Sequence, residues 1–259
     1  MSSTEVSTEV RTERVGSSLL ITIDRPKARN AVNAAVAEGV AAALDRLDGD
    51  DELRVAILTG AGSSFCAGMD LKAFVAGERP YAEGRGFAGI AQRPPEKPII
   101  AAIEGFAVAG GFEVALACDL IVAARDAKVG IPEVKRGLVA AAGALIRLPK
   151  RIPYHLAMEL ALTGEPITAE RAYAIGIVNR LAEPGGAVAA ARELAAAIAA
   201  NGPLAIAGSK QILSAAVDWS EAEAWERQGE ISGPIFASED AREGATAFAE
   251  KRPPVWRGR

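Results

Sequence analysis

Short apolar runs separated by glycine-rich breaks mark the first two thirds of the chain. The length and the Ile, Val and Ala content of four of these runs predict buried strands: residues 18–24, 55–59, 99–103 and 120–124. Apolar residues at helical spacing occupy residues 31–47, and this pattern ends at Asp48-Gly49, a helix stop signal. Alternating strands and helices of this kind indicate an α/β fold.

The pattern changes to helices alone after the turn at residues 184–186, Pro-Gly-Gly. Four helices are predicted from there: residues 187–200, 203–216, 218–230 and 238–250. Asp218, followed three residues later by Glu221, resembles a capping box. We therefore expect three regions: a polar, disordered tail over residues 1–14, a mixed core over residues 15–184, and a helical region over residues 185–259.

Residues 99–119 carry the clearest chemical signal. A strand pattern, Ile99–Ile103, leads through glycine breaks to a helix pattern that begins at Gly110, with Glu113 in its first turn. The first N–H groups of a helix lack intrahelical acceptors, and the helix dipole adds to their attraction for negative charge. The stretch therefore predicts an oxyanion site with a carboxylate beside it. Charges inside the stretch disfavour a membrane span, whereas a purely structural turn stays open as the alternative.

A second glycine turn, Phe-Cys-Ala-Gly-Met-Asp-Leu at residues 65–71, follows another predicted strand. Gly68 permits a sharp bend that leaves the amide of Met69 facing a cavity, although an ordinary turn before a helix is equally consistent. If the two turns converge, Met69 and Gly110 supply two N–H donors, as an oxyanion hole requires. Residues 77–95, rich in Gly, Pro, Arg and Glu, predict an irregular segment over this site.

Composition and charge argue against several classes of function. With 259 residues, half of them hydrophobic, the chain can bury a substantial core. A net charge of -4 argues against a nucleic-acid-binding surface. Two cysteines and a single histidine, His155, give neither a disulfide framework nor an expected metal site. The first 13 residues lack the segments of a secretory signal. We therefore expect a cytoplasmic protein without membrane or nucleic-acid partners.

Positive charge is concentrated in two places. The loop Arg-Pro-Lys-Ala-Arg-Asn-Ala at residues 25–31 is either a solvated loop or a cationic patch for a phosphorylated ligand. The basic residues within 251–259 predict a frayed end.

Taken together, these motifs resemble the crotonase, or enoyl-CoA hydratase, superfamily. The resemblance rests on five segments in the family's order and spacing: residues 25–31, 65–71, 105–113 (Gly-Phe-Ala-Val-Ala-Gly-Gly-Phe-Glu), 131–133 (Ile-Pro-Glu) and 162–179. It implies an α/β, crotonase-like spiral of repeated ββα units that forms the catalytic core over residues 15–184. It also implies a helical trimerisation region over residues 185–259. A trimer or dimer of trimers that binds an acyl-CoA substrate is expected, with no cofactor, because coenzyme A is part of the substrate.

Residue roles carry over from the resemblance by position. It implies an oxyanion hole made by the amides of Met69 and Gly110, and two glutamates, Glu113 and Glu133, that handle water. It adds a set of substrate- or coenzyme-binding residues: Lys27, Ala28, Arg29, Ala67, Asp70, Leu71, Lys72, Phe248 and Lys251. For the basic loop at residues 25–31, the resemblance favours a cationic patch for a phosphorylated ligand over a solvated loop.

The expected activity is that of an enoyl-CoA hydratase, which adds water reversibly to a 2-enoyl-CoA thioester, as in fatty-acid β-oxidation. Retention of both glutamates favours hydration over the Δ3-Δ2-enoyl-CoA isomerase reaction. A specialised 3-hydroxyacyl-CoA dehydratase of the carnitinyl-CoA dehydratase kind is the enzymatic alternative. An acyl-CoA-binding or assembly protein is the non-enzymatic one. Residues 140–144, Ala-Ala-Ala-Gly-Ala, replace the Pro-Gly-Ala-Gly-Gly common in the family, and we expect this to reshape the acyl pocket or the water position.

Overall fold

The computed structural model describes residues 9–259 and folds them into strands, α-helices and two short 3₁₀ turns, Pro26–Ala28 and Pro132–Arg136. The strands are β1 (Val10–Val15), β2 (Ser18–Ile23), β3 (Val55–Gly60), β4 (Tyr81–Ala82), β5 (Gly86–Phe87), β6 (Ile99–Ile103), β7 (Phe106–Val108), β8 (Leu120–Ala124), β9 (Lys128–Gly130), β10 (Ile167–Thr168) and β11 (Arg180–Ala182). The helices are α1 (Ala34–Gly49), α2 (Leu71–Val75), α3 (Gly110–Ala117), α4 (Ala144–Arg151), α5 (Tyr154–Thr163), α6 (Ala169–Ala174), α7 (Ala187–Ala199), α8 (Pro203–Ala216), α9 (Glu221–Phe236) and α10 (Glu239–Glu250). Among the helices described, none combines the length and apolar content that crossing a bilayer requires.

Two sheets wind together to form the spiral. The larger has the order β1-β2-β3-β6-β8-β11, with β1 antiparallel to β2 and the other neighbours parallel. The smaller has the order β10-β9-β7, and β4 pairs with β5 apart from both. The consecutive pairs β6–β7 and β8–β9 each place one strand in the larger sheet and the next in the smaller one, before the chain becomes helical. This repetition confirms the predicted α/β spiral of ββα units.

The central strands of the larger sheet, β3, β6 and β8, are largely apolar because both of their faces are covered. All five residues of β6 are buried, as are the first five of β3. One face packs on the spiral interior and α1. The other face packs on α7, where Ala187, Ala191 and Ala195 repeat at helical spacing and allow a close approach.

Packing therefore runs across the boundary expected between residues 184 and 185. Glu104, at the end of β6, accepts the N–H of Gly185 at 3.0 Å and that of Ala187 at 2.8 Å. Its carboxylate thus caps the start of α7, whose first amides have no intrahelical acceptor. The first helix of the expected C-terminal region is part of the core rather than of a separate layer.

The prediction of a disordered tail over residues 1–14 is wrong for the last part of that segment. Residues 1–8 lie outside the described residues. From Val10 onward the chain forms β1, which pairs with β2 along its whole length. Val10 is buried against the core, and this contact together with the backbone ladder orders the segment.

The prediction of a frayed end over residues 251–259 is also wrong. The buried carboxylate of Asp240 accepts the N–H of Arg257 at 2.7 Å and that of Gly258 at 2.9 Å. The indole N–H of Trp256 donates to a backbone carbonyl oxygen at the end of α7, 2.8 Å away. These bonds fold the chain end back onto α10 and α7.

The capping box that starts α9 lies two residues beyond the predicted one. Ser220 accepts the N–H of Glu223, and the Glu223 carboxylate accepts the N–H of Ser220. Asp218 instead forms an ion pair with Lys150 on α4. Ser220 has the extended backbone conformation of an N-cap residue, and it caps α9 in place of the aspartate two residues earlier.

Candidate active site

The two glycine turns predicted from the sequence meet in the structure. Gly68 has a φ of 96°, and a Cβ atom on it would lie 3.0 Å from the amide nitrogen of Gly110. A Cβ atom on Gly110 would lie 2.7 Å from the ring of Phe87, and one on Gly111 would collide with the carbonyl oxygen of Cys66. Glycine is needed at these positions because the backbones approach more closely than side chains allow.

Met69 and Gly110 present unused backbone donors at this contact. Gly110 is the first residue of α3, so its N–H has no intrahelical acceptor. Met69 forms a parallel bridge with Val32 through the carbonyl of Gly68 and the amide of Asp70, not through its own N–H. In the described part of the chain, no hydrogen bond uses the N–H of Met69 or of Gly110. Two adjacent backbone donors are thus free for a ligand oxygen.

Ala109, immediately before α3, has a strained backbone conformation. Its φ of 53° and ψ of -134° lie in a region that favours glycine. Its N–H donates to the carbonyl of Gly130, and its own carbonyl accepts the N–H groups of Phe112 and Glu113. These bonds hold the strained residue in place, and its conformation sets the direction in which α3 and its free first amide begin.

Glu113 lies in the first turn of α3 and is only 3% exposed. Its Oε1 atom accepts the N–H of Ala142 at 2.8 Å and that of Ala144 at 3.0 Å. Since Ala144 begins α4, the carboxylate caps that helix and gains from its dipole. Burial raises the pKa of Glu113, and the two N–H groups and the Arg147 guanidinium oppose that rise. Oε1 is thus occupied, and Oε2 is left for a ligand.

Glu133 is the second carboxyl group of the site. It lies in the 3₁₀ turn that begins at Pro132, and its Oε2 atom is buried without a hydrogen-bond partner among the described residues. Burial raises the pKa of Glu133, the Glu113 charge adds to that rise, and Arg136 opposes it. The two carboxyl groups are therefore electrostatically coupled. An unpartnered buried oxygen marks a place for water or substrate.

A cavity of about 320 Å³ joins these groups. Its wall includes Met69, Gly110, Glu113 and Glu133 together with Arg136. The remaining lining is mostly apolar: Ala67, Leu71, Tyr81, Phe87, Val108, Ala109, Pro132, Leu138, Val139, Ala141 and Ala142. The volume suits a small-molecule site with a few polar groups in an apolar wall. Electrostatic interactions inside such a wall are stronger than in water.

The basic loop at residues 25–31 lies beside this cavity because hydrogen bonds fix it there. The buried side-chain amide of Asn30 donates to two carbonyl oxygens of the turn after β3. The carbonyl of Arg29 accepts the N–H of Ala67, which belongs to the cavity wall. Lys27 and Arg29 are exposed, with Ala28 half-buried between them. Two cations are thereby held near the cavity.

Asp70, Leu71 and Lys72 follow Met69 directly. Asp70 caps α2 by accepting the N–H of Lys72 at 3.1 Å, and it forms an ion pair with Arg25 at 3.0 Å. Leu71 lines the cavity, whereas Lys72 is exposed. The Asp70 contacts tie the turn that carries Met69 to the basic loop.

Phe248 and Lys251 lie away from the cavity within one chain. Phe248 is 88% exposed near the end of α10, and Lys251 follows that helix with a φ of 53°. Neither residue lines the cavity. Their contact with coenzyme A stays a prediction.

Other reactive groups take no part in the cavity. Burial raises the pKa of the Cys66 thiol to about 12, so this thiol stays protonated at neutral pH. His155 is exposed and packs its ring edge-on against Tyr154. Within residues 9–259, no cluster of His, Cys, Asp and Glu is arranged to hold a metal ion.

Sequence reasoning missed the residues that hold Glu113 in place. Ala142 and Ala144 act through backbone N–H groups, which leave no side-chain signature. Arg147 donates to the carbonyl oxygen of Ala91 at 2.6 Å and to that of Ala142 at 3.4 Å. The departure from the family pattern over residues 140–144 is the one signal that pointed to this turn.

Comparisons with known proteins agree with this geometry. Residues 13–259 match the family described as enoyl-CoA hydratase/isomerase. The chain is 41% identical over 268 residues to enoyl-CoA hydratase EchA19 of Mycobacterium tuberculosis (strain ATCC 25618 / H37Rv), covering 100% of both chains. It is 44% identical over 262 residues to carnitinyl-CoA dehydratase of Salmonella typhi, covering 98% of this chain and 100% of that one. The crystal structure of enoyl-CoA hydratase EchA1 from Mycobacterium marinum matches with a TM-score of 0.95 and 62% identity, covering 97% of this chain and 99% of that one.

Proposed function

The chain belongs to the enoyl-CoA hydratase/isomerase family, and from that premise we propose that it adds water reversibly to 2-enoyl-CoA thioesters to give 3-hydroxyacyl-CoA. It is a hydro-lyase in this proposal. One observation carries it: a single apolar cavity holds two free backbone N–H groups, those of Met69 and Gly110, together with the carboxyl groups of Glu113 and Glu133.

The two amides act on the thioester carbonyl. When water attacks the β-carbon of a conjugated thioester, negative charge develops on the carbonyl oxygen. N–H groups held by the contact between Gly68 and Gly110 are already in place where that charge forms, so they stabilise the transition state without reorganising.

The two carboxyl groups divide the proton transfers. Water must lose a proton as it attacks, and the α-carbon must gain one. Glu113 suits the first task, because two N–H groups hold its Oε1 atom and leave Oε2 to accept the proton from water. Glu133 suits the second, because burial and the Glu113 charge favour its protonated form, and its Oε2 atom has no partner among the described residues. Because the groups are coupled, they titrate as a pair.

The rest of the chain supports the coenzyme A part of the substrate. In this proposal Lys27 and Arg29, which are exposed beside the cavity wall, bind its phosphates. Large apolar side chains on the C-terminal helices are exposed, among them Trp225 at 71% and Phe236 at 80%. Exposed apolar surface of this kind supports a homo-oligomer, for which a trimer or a dimer of trimers is proposed. A second subunit would also bring a partner for Phe248 and Lys251.

The test follows loss of the conjugated thioester absorbance with crotonyl-CoA and with a longer 2-enoyl-CoA. Wild type, Glu113→Gln and Glu133→Gln run side by side, with binding of a non-reacting acyl-CoA measured in parallel. Turnover by wild type that falls by about 10²–10⁴-fold in either variant, with binding retained, is expected. Unchanged turnover in both variants would overturn the two-glutamate mechanism. Binding without turnover in wild type would overturn the hydratase activity itself.

Dehydration of a carnitinyl thioester is the second candidate, and the 44% identity to a carnitinyl-CoA dehydratase favours it. That acyl group carries a quaternary ammonium, which aromatic rings attract. Tyr81 and Phe87 line the cavity and pack edge-on with centroids 5.8 Å apart. Arg136 lies in the same wall and repels a cation. Faster turnover of carnitinyl-CoA than of 3-hydroxybutyryl-CoA would favour this candidate over the first.

A further inference from the structure

A chain of contacts leads from outside the cavity to the Glu113 carboxylate. The N–H of Ala142 donates to Oε1 of Glu113 at 2.8 Å, and the carbonyl oxygen of Ala142 accepts from Nη1 of Arg147 at 3.4 Å. Nη2 of the same guanidinium donates to the carbonyl oxygen of Ala91 at 2.6 Å. Arg147 therefore joins the irregular segment before β6 to the turn that holds Glu113.

The turn is shaped to receive this guanidinium. Gly143 has a φ of 113°, and a Cβ atom on it would collide with Nη1 of Arg147. In residues 140–144, where alanine stands at the other positions, Gly143 is the one glycine. Its missing side chain lets the Arg147 guanidinium lie against the backbone of the turn.

The charge of Arg147 acts on Glu113 as well. Arg147 is half-buried and forms no ion pair in the described part of the chain; its hydrogen bonds go to backbone carbonyls. The titratable groups near it are Glu113 and Cys118 on the α3 side and Arg151 one turn further along α4. Glu133 and Arg136 complete the charges around the carboxyl pair. The positive charge of Arg147 lowers the pKa of Glu113 and so opposes the effect of burial.

We propose that Arg147 is a positioning residue for the hydration reaction: by bridging Ala91 and Ala142 it holds the 142–144 turn against Glu113 and orients the free carboxylate oxygen toward water. This inference rests on the proposed function. Arg147 acts through the turn and does not touch the reacting atoms. Misplacement of a reacting group by about 1 Å typically lowers the rate by about 10²-fold.

The test compares Arg147→Met and Arg147→Lys with the matched control Arg151→Met. Arg151 also donates to a backbone carbonyl, that of Leu116 at 2.6 Å, but does not touch the turn. For Arg147→Met we expect kcat about 10²-fold lower with little change in KM, and an acid limb of kcat moved to higher pH, because Glu113 loses the neighbouring charge. Arg147→Lys restores the position of the limb but only part of kcat, since one ammonium cannot bridge both carbonyls. Arg151→Met should leave both kcat and the position of the acid limb near their wild-type values.

Wild-type kcat and pH profile in Arg147→Met would overturn the proposal, as would equal losses in Arg147→Met and Arg151→Met. A lowered Tm with kcat per folded enzyme unchanged would assign Arg147 a purely structural role. Crystal structures of the wild type and Arg147→Met give a readout independent of turnover: the variant should lose the Ala142 hydrogen bond to Glu113. An inactive wild type would count against the proposed function. The crystal structures would still test the role of Arg147, because they show whether the hydrogen bond from Ala142 to Glu113 depends on it. If Arg147→Met does not fold, Arg147→Lys tests the bridge alone: kcat should fall while the acid limb stays in place, and a wild-type kcat would overturn the proposal.

Discussion

Gly68 and Gly110 touch through their backbones, so that a Cβ atom on Gly68 would lie 3.0 Å from the amide nitrogen of Gly110. They belong to different turns of the spiral, and a parallel bridge between Cys66 and Ala107 fixes the register of those turns. The N–H of Met69 follows Gly68 directly. The two proposed oxyanion donors are therefore placed by a single backbone contact anchored to the strands beneath, not by mobile side chains.

Adding a methyl group to Gly110 should damage the oxyanion hole. The new Cβ would lie 2.7 Å from the ring of Phe87, which is itself buried, so the ring and the start of α3 must move apart and the first N–H of the helix is displaced. Loss of one oxyanion donor typically lowers kcat by about 10²–10³-fold, and we expect a loss of this size for Gly110→Ala in the hydration assay. Gly229→Ala is the control: no atom beyond its chain neighbours lies within 4 Å of its Cβ, and at this exposed position of helix α9 it should add about 1 kcal/mol of stability at unchanged kcat. A Gly110→Ala enzyme with wild-type kcat would rule out this amide as a donor.

Replacing Ala109 by glycine should stabilise the protein. Its strained φ and ψ raise the energy of the folded state by about 1–3 kcal/mol, and the greater freedom of glycine in the unfolded chain offsets about 0.4–1 kcal/mol. We expect the free energy of unfolding in urea to rise by about 1 kcal/mol for Ala109→Gly. Ala42→Gly, at an exposed position in α1, should instead lower it by about 1 kcal/mol. Equal losses in the two variants would mean that Ala109 is not strained.

The central strands β6 and β8 could be predicted because burial makes them apolar at every position, whereas the edge strand β1 carries charged residues and falls in the segment expected to be disordered. Ile99–Ile103 and Leu120–Ala124 have the bounds that their apolar runs predict. β7, Phe106–Val108, could not be found, because it has only three residues between two glycine breaks. It is a strand because β9 lies beside it, and this pairing is a property of the whole fold.

The candidate site also has a part that could be predicted from the sequence and a part that could not. Met69, Gly110 and Glu113 could be proposed from the glycine turns and the helix start, and Glu133 joined them through the family resemblance. The structure places all four in one cavity wall. The support of Glu113 could not be predicted, since it comes from N–H groups that every residue except proline possesses.

Removing either cation of the basic loop should weaken coenzyme A recognition. A single charged contact at an exposed position contributes about 1 kcal/mol, so we expect Lys27→Ala and Arg29→Ala each to raise KM for crotonyl-CoA about fivefold at unchanged kcat. The effect should shrink at high ionic strength. Arg180→Ala, at an exposed position of β11 outside the cavity wall, is the control for loss of positive charge.

The corresponding crotonyl-pantetheine separates the coenzyme from the acyl group in this experiment. It keeps the reacting thioester but lacks the nucleotide phosphates, so its KM should be the same in wild type, Lys27→Ala and Arg29→Ala. An equal rise in KM for both thioesters would mean that the loop acts on the cavity itself and not on the phosphates.

Glu113→Gln should be more stable than wild type at neutral pH and lose that advantage in acid. Burial raises the pKa of Glu113 in the folded state, so folding disfavours its charged form. The contribution of Glu113 to stability is therefore fully present below its ordinary pKa of 4.5, and it is lost as the pH rises through the raised value. Glutamine is neutral throughout, and its oxygen can accept the same N–H groups of Ala142 and Ala144. Urea unfolding from about pH 4 to about pH 8 measures the difference.

Glu133→Gln should show a difference of the same sign, because burial raises the pKa of Glu133 as well. Glu193→Gln, on the exposed side of α7, removes a charge that carries no burial penalty and is the control. If Glu113 were only a cap for α4, losing its charge would weaken the cap, and Glu113→Gln would be the less stable protein at neutral pH. A variant that gains stability while losing turnover instead identifies a charge kept in an unfavourable place because the reaction needs it.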